Sequence, residues 1–93
     1  NEVFEICEKL GLDYNEIKKL FLSDQRVCNS HTDVPGPDNF KGFGGKCLYK
    51  DLKSLMNFGK EDLGLQMNML EAADTVNERV REHKDWLEIK GAT

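Results

Sequence analysis

The apolar residues of this chain recur with a helical period in four stretches, and no stretch alternates with the period of a strand. In the first, from Asn1 to Leu10, Val3, Ile6, Cys7 and Leu10 stand at i, i+3, i+4 and i+7. They make one apolar face, which Gly11 closes as a C′ residue. Asp13 with Glu16 three positions later is a capping-box pattern, Asp standing in for Ser or Thr. It opens a short helix with Ile17, Leu20 and Phe21 inward. So short a connection predicts a helical hairpin. A third helix is predicted from Cys47 to Phe58, with Leu48, Leu52, Leu55 and Met56 apolar and Gly59 as its stop. Asp62 or Gly64 leads into the longest helix, where Leu65, Met69, Ala72, Ala73, Val76, Val80, His83 and Leu87 trace one stripe. That stripe is too long and one-sided for so small a body to cover, which points to contact with another domain or subunit. The fold class is all-α.

Periodicity stops between Ser23 and Lys46. Asp24, Asn29, Ser30, Asp33 and the run Pro35-Gly36-Pro37-Asp38-Asn39 make a long loop there. Loops of this length inside a compact domain are uncommon, and are either functional or disordered. The two prolines stiffen it, which favours a shaped binding loop over a floppy insertion.

Composition narrows the classes. A chain of 93 residues is one domain, near the lower end of what builds a self-sufficient core. With 39% hydrophobic and 32% charged residues it reads as globular, not disordered. A net charge of −4 and the lack of a basic stripe argue against nucleic acid and acidic membranes. No apolar run approaches the ~20 residues that span a bilayer. Neither a signal-peptide pattern nor an N-x-[ST] site occurs. Cys7, Cys28 and Cys47 are an odd set, widely spaced, which suits reduced thiols in a cytoplasm better than a disulfide framework. The chain starts on Asn1 with helical periodicity already running at Val3. It closes on Trp86-Leu87-Glu88-Ile89 and Lys90 to Thr93 like a lead-in to something further, so an excised piece of a longer protein is expected.

The chemistry concentrates in Gly42-Phe43-Gly44-Gly45-Lys46-Cys47-Leu48-Tyr49-Lys50-Asp51. Glycines let a backbone approach a bulky ligand. A thiol at a helix N-terminus beside lysines ionises more easily, and the thiolate is the nucleophile. Lys50 and Asp51, at i+3 and i+4, share the face of Cys47. Spacing alone serves equally well a glycine loop before an amphipathic helix whose cysteine packs as a small apolar residue. Stand-alone nucleotide motifs fail. Cys47 occupies the third Rossmann glycine position, no strand precedes the loop, and Phe40 stands where a P-loop needs its first glycine. His31, His83 and the cysteines lack zinc-ligand spacing, so no metal site is expected, and nothing local supports a Cys-His protease pair. His31 reads as a loop polar group, His83 as a helix-face residue, Cys7 as core and Cys28 as incidental. Met67 and Met69 read as core or interface filler. Arg26, in Asp24-Gln25-Arg26, reads either as a solvated charge or as a clamp for a phosphate or carboxylate.

Asn1-Glu2, the run Cys7 to Tyr14, Asp24-Gln25-Arg26, Asn29-Ser30-His31, Gly42 to Cys47, Lys50-Asp51 and Asn77-Glu78 together resemble, in order, the UDP-glucose/GDP-mannose dehydrogenase family. The resemblance covers nearly all of residues 1–93 but only the middle of such an enzyme. It implies the helical central domain, similar to the C-terminal-domain-like fold of 6-phosphogluconate dehydrogenase. The N-terminal Rossmann and C-terminal UDP-binding domains are absent from this chain.

By that resemblance the parent is an NAD-dependent enzyme that oxidises a nucleotide sugar at C6 from alcohol to acid. Cys47 is implied as the nucleophile that forms a thiohemiacetal and then a thioester. Asp51 is implied to assist the proton and water steps, and Lys50 to lie near the cofactor. Phe40, Lys41, Gly42, Phe43, Gly44 and Gly45 align with the stretch lining the sugar and uridine pocket. Arg26 aligns with an arginine that reaches the substrate of a neighbouring subunit, and the long helix with a dimer and domain-linking helix. UDP-glucose is the favoured substrate, with UDP-N-acetyl sugars and GDP-mannose left open. Departures are the missing upstream Lys and Asn of the active site, Leu48-Tyr49 where Phe-Pro, Phe-Gln or Leu-Pro is common, and a rather long Pro35 to Asn39 insert. The fragment is not expected to turn over alone. The alternative from another class is a helical dimerisation or scaffold module without catalysis of its own.

Overall fold

The computed structural model describes residues 1–45 and 47–87. Lys46, the lysine beside the candidate thiol, and residues 88–93, the expected lead-in to further chain, lie outside the described residues. The described residues form four α-helices: α1 (Glu2–Leu10), α2 (Tyr14–Leu22), α3 (Cys47–Asn57) and α4 (Asn68–Val80). A π-helical turn, Phe58–Asp62, follows α3, and a 3-10 turn, Asp85–Leu87, follows α4. Among these residues there is no strand, and the all-α expectation holds.

α1 and α2 pack as the expected hairpin. Gly11 turns left-handed at φ 69°, a conformation that costs a residue with a Cβ, and Leu12 N then donates to Cys7 O at 2.9 Å. The capping box forms by half. Asp13 Oδ1 accepts from Asn15 N at 2.9 Å, whereas Glu16 turns to Lys19 Nζ at 3.0 Å instead of reaching back to the cap. Tyr14 is buried edge-on against Phe4, with ring centroids 5.6 Å apart, and its hydroxyl donates to Thr32 O at 2.6 Å. That bond ties the long loop to the hairpin. Of the predicted apolar face only Cys7 is buried. Val3, Ile6, Leu10 and Leu20 stay exposed, because nothing in the described chain covers them.

α3 departs from expectation at both its face and its end. Tyr49 and Met56 are the buried residues, and Leu48 and Leu55 are exposed, so the inward face is turned by about one residue from the predicted one. The cause is an aromatic stack. Tyr49 lies flat on Trp86, with centroids 4.1 Å apart and planes 5° from parallel, and Phe43 packs against the pair. Gly59 is not the stop. The backbone continues through it as the π-helical turn, and Gly64, at φ 65°, makes the reversal. Gly59 is buried for a different reason: the Met67 side chain lies where a Cβ would project.

α4 is the longest helix among the described residues, but it ends at Val80, before the stripe does. Arg81 swings to extended backbone (φ −82°, ψ 114°), which puts its side chain into the interior. His83 and Leu87 therefore lie beyond the helix, and His83 stacks on Phe40 at 5.2 Å instead of facing along α4. Lys53 bridges α3 to α4 through Asp74 at 2.6 Å, and Arg79 bridges α4 to α1 through a two-pronged contact with Glu5 at 2.6 and 2.8 Å. The Asp74 carboxylate raises the Lys53 pKa, and the Arg79 guanidinium holds that of Glu5 down.

Because Trp86 is only 2% exposed and its ring is half of the central stack, truncating it removes the core's largest single payload. Trp86→Ala is expected to cost about 3–5 kcal/mol. Urea unfolding followed by far-ultraviolet circular dichroism measures it, and a loss below ~1 kcal/mol would contradict the stack as the core.

Candidate glycine-loop and cysteine site

The loop from Phe40 to Gly45 is built by side chains that arrive from the end of α4 and the turn after it. Asn77, buried, meets Phe43 with both halves of its amide: Oδ1 accepts from Phe43 N at 2.7 Å and Nδ2 donates to Phe43 O at 2.9 Å. An asparagine thus stands in for a neighbouring strand. Asp85 Oδ2 accepts from Gly45 N at 2.6 Å. Asn1 Oδ1 accepts from Gly42 N at 3.4 Å, which brings the start of α1 to the same loop.

Between Asn77 and Asp85 lies the Arg81 guanidinium, with a side chain 0% exposed. Burying such a charge is costly unless every donor is met. Here Nε donates to His83 O at 2.6 Å, Nη2 to Asp38 Oδ2 at 2.6 Å, and Nη1 to Asp38 Oδ1 at 3.3 Å and Lys41 O at 3.4 Å. Asp85 Oδ1 stands 3.6 Å from Nη2. The Arg81 guanidinium holds the Asp38 carboxyl below its ordinary value of 3.8, with help from the Phe40 amide. The Pro35 to Asn39 insert is therefore a shaped segment. Arg81 fastens it at Asp38, while Gly36 N donates to Phe40 O at 3.0 Å across its turn.

The packing dictates the glycines. A Cβ on Gly42 would collide with Asn77 Oδ1, and one on Gly44 would meet both Arg81 Nη2 and Asp85 Oδ1. Gly45 has open space around it, and its glycine is required by φ 83° instead. Gly42 to Gly45 line one side of a groove of about 840 Å³. Ser30, His31 and Asp33 of the long loop, and Ala72, Ala73, Val76 and Val80 of α4, are among the residues that face them across it. His31 sits in left-handed backbone at φ 62°, with Nδ1 2.6 Å from Ser30 Oγ.

Cys47 is the first residue of α3, exposed, directly after this fastened loop. Lys50 and Asp51, also exposed, follow one turn later on the same helix. Phe40 and Lys41 are engaged elsewhere: Phe40 stacks on His83 with Arg81 over its ring at 5.5 Å, and the Lys41 ammonium lies 4.8 Å from the Phe4 ring centre. Arg26 is 90% exposed at its side chain, lies outside the groove lining and pairs with Asp24, its Nη2 donating at 2.7 Å and its Nε at 3.0 Å. Cys28 is exposed, accepting from Ser30 N at 3.4 Å. All three cysteines are free thiols, and no group of metal-ligating side chains occurs among the described residues. Nor is any described helix long and apolar enough to cross a membrane.

Pattern reading passed over Arg81 and Asp85. Their spacing from Asn77, at i+4 and i+8, suggests one helical face, which they do not share because α4 ends at Val80. Polar residues repeating beside an apolar stripe are read as its solvated flank. Here they face inward because the loop brings them unpaired backbone groups.

Two glycine variants separate crowding from backbone strain. Gly45→Ala is expected to cost about 1–2 kcal/mol, the strain of left-handed backbone. Gly44→Ala is expected to cost more, since the buried Arg81 has nowhere to retreat. Urea midpoints of the two proteins decide it, and an equal or smaller loss for Gly44→Ala would contradict the close approach.

Residues 1–79 match the UDP-glucose/GDP-mannose dehydrogenase family, central domain. The UDP-glucose 6-dehydrogenase TuaD of Bacillus subtilis is 29% identical over 83 residues, 89% of this chain and 17% of that protein. UDP-glucose 6-dehydrogenase of Rickettsia bellii is 33% identical over 72 residues, 77% of this chain and 15% of that protein. The Pseudomonas aeruginosa enzyme of the same name is 29% identical over 82 residues, 88% of this chain and 17% of the relative. The chain spans 15–17% of the length of these curated relatives. No solved structure matches it. The glycine loop, the cysteine that follows it and the helices that hold both fall within the matched stretch, and the chain belongs to the UDP-glucose/GDP-mannose dehydrogenase family, as its central domain.

Proposed function

We propose that this chain is the cysteine-bearing domain of a cytoplasmic, NAD-dependent UDP-glucose 6-dehydrogenase that makes UDP-glucuronate in two hydride transfers. One observation carries the reading: the Gly42–Gly45 strip of the groove, held by Asn77 and Asp85, stands two residues before an exposed thiol with an amine and a carboxylate one turn on. A four-electron oxidation that never releases its aldehyde needs a covalent tether, and Cys47 provides one. The thiolate adds to the C6 aldehyde, whose oxygen takes up a proton, to give a thiohemiacetal. Loss of the second hydride from carbon and of the hydroxyl proton from oxygen leaves a thioester, and water, with Asp51 taking its proton, releases the acid and the thiolate.

NAD, when bound, accepts the hydride in each oxidation. The residues present fit a contact with it, not a cradle. Lys50, exposed on the Cys47 face, is the cofactor-side cation of this chain. Among the described residues no strand precedes the glycine turn, so the dinucleotide is held mainly by other parts of the enzyme. Gly42 to Gly45 line the sugar and uridine pocket, Phe40 and Lys41 support that strip from outside the groove, and Arg26 reaches across to the substrate of a neighbouring subunit. Three free thiols fit a reducing compartment.

Cys47→Ser or Cys47→Ala in the full-length enzyme is expected to abolish UDP-glucuronate formation, read by product chromatography. Acid production surviving in both would overturn the catalytic role and leave the helical scaffold reading in its place. A homodimer through the first turn of α4, away from the groove, accounts for Met69, which is 87% exposed. Met69→Lys is expected to shift the enzyme towards smaller species by light scattering, and an unchanged mass would remove α4 from the interface.

A further inference from the structure

We infer that Asn77, Arg81 and Asp85 are positioning residues of the dehydrogenase reaction, which hold the Phe43–Gly45 backbone so that Cys47 meets the aldehyde before the aldehyde can leave. The inference rests on the reading of Cys47 given above and goes beyond it to residues that touch no reacting atom. Arg81 and Asp85 lie past the last residue that matches the family.

Three observations carry it. The side chains act on backbone atoms of the loop itself: Asn77 on both polar groups of Phe43 at 2.7 and 2.9 Å, and Asp85 on Gly45 N at 2.6 Å. They act from a part of the chain 34 to 40 residues away, so the loop has no local means of making the same bonds. And Gly42 and Gly44 have no room for a Cβ against Asn77, Arg81 and Asp85, so loop and clamp fit in one arrangement. Gly45 is two residues from Cys47. A rotation of its peptide plane, once Asp85 lets go of its N–H, moves the start of α3 and the thiol on it. Displacement of a reacting group by about 1 Å costs up to about a hundredfold in rate.

The loss falls unequally on the two oxidations. The first hydride leaves the alcohol carbon without help from the thiol. The second can leave only after sulfur has bonded to the aldehyde. A misplaced Cys47 therefore lets the first oxidation run and the aldehyde escape, so the hydrides captured per sugar consumed fall from two towards one. General destabilisation lowers the amount of active enzyme but leaves that ratio at two.

The test is made on the full-length enzyme with UDP-glucose and NAD, counting NADH formed per sugar consumed and trapping aldehyde with a hydrazine. Asn77→Asp keeps the acceptor for Phe43 N but sets an oxygen against Phe43 O. Asp85→Ala removes the acceptor for Gly45 N at a site that is only partly buried. Both are expected to lower acid formation at least about tenfold and to release trappable aldehyde. Asp85→Asn, which keeps an oxygen towards Gly45 N, is expected to recover most of what Asp85→Ala loses. If Asn77→Asp does not fold, the Asp85 pair decides alone. A ratio of two in Asp85→Ala, with no aldehyde, overturns the inference. Cys47→Ser in parallel separates the two ideas: acid made by that variant sinks the catalytic reading itself, whereas no acid from it and intact coupling in Asp85→Ala sinks only the positioning role.

Discussion

The structure turns on one buried charge. A guanidinium taken wholly out of water is tolerable only when it is paired and hydrogen-bonded, and Arg81 meets four of its five N–H donors with His83 O, Lys41 O and the Asp38 carboxylate, while Asp85 Oδ1 stands 3.6 Å from Nη2. Each partner belongs to a segment that would otherwise wander. Asp38 belongs to the proline-containing insert, Lys41 opens the glycine loop, and His83 begins the turn that delivers Asp85 and Trp86. Satisfying a single side chain thus fixes where α4 stops, how the insert folds back, and how close the loop runs to the helix. Gly44 follows from that closeness, since a Cβ there would occupy the space of the charge and of its Asp85 neighbour.

Around this centre the molecule divides into an interior that fixes backbone and an exposed helix start. The groups that fix backbone are interior: Asn77, Arg81 and the Tyr49–Trp86 stack. Cys47, Lys50 and Asp51 are exposed, one step beyond them on α3. Tyr49 belongs to both sides, lying between the exposed face of α3 and the aromatic core, which anchors the first turn of the cysteine helix. The family match covers the loop, the cysteine and Asn77, while Arg81 and Asp85 stand outside it.

Local signals are legible in this sequence and long-range ones are not. The left-handed Gly11, the Asp13 cap and the helical class follow from chemistry that acts over a few residues, and they were visible in the sequence. Gly59 misled because a glycine after an apolar run signals a helix end equally with a site of close packing, and only Met67 lying on it tells the two apart. The stripe through His83 and Leu87 misled because periodicity knows nothing of a charge that is better satisfied by breaking the helix. Val3, Ile6 and Leu10 show the opposite limit: the pattern marks a face to be covered without saying that the cover lies in the same chain. The glycine run was legible as a site. That its glycines answer to Asn77, Arg81 and Asp85 was not, since those contacts cross most of the intervening sequence.

That crossing sets an order of events. The Phe43–Gly45 strip is written near the middle of the chain, yet the bonds that shape it come from residues 34 to 40 positions later. Contacts between distant positions form after local ones, because the loop between them must first be closed. α1, α2 and α3 can each wind as their residues appear, but the strip stays unshaped until α4 has formed and the turn carrying Asp85 has docked. Within residues 1–87 the groove therefore takes shape only after the helices that frame it, and any event that peels Asp85–Leu87 from the body releases Gly45.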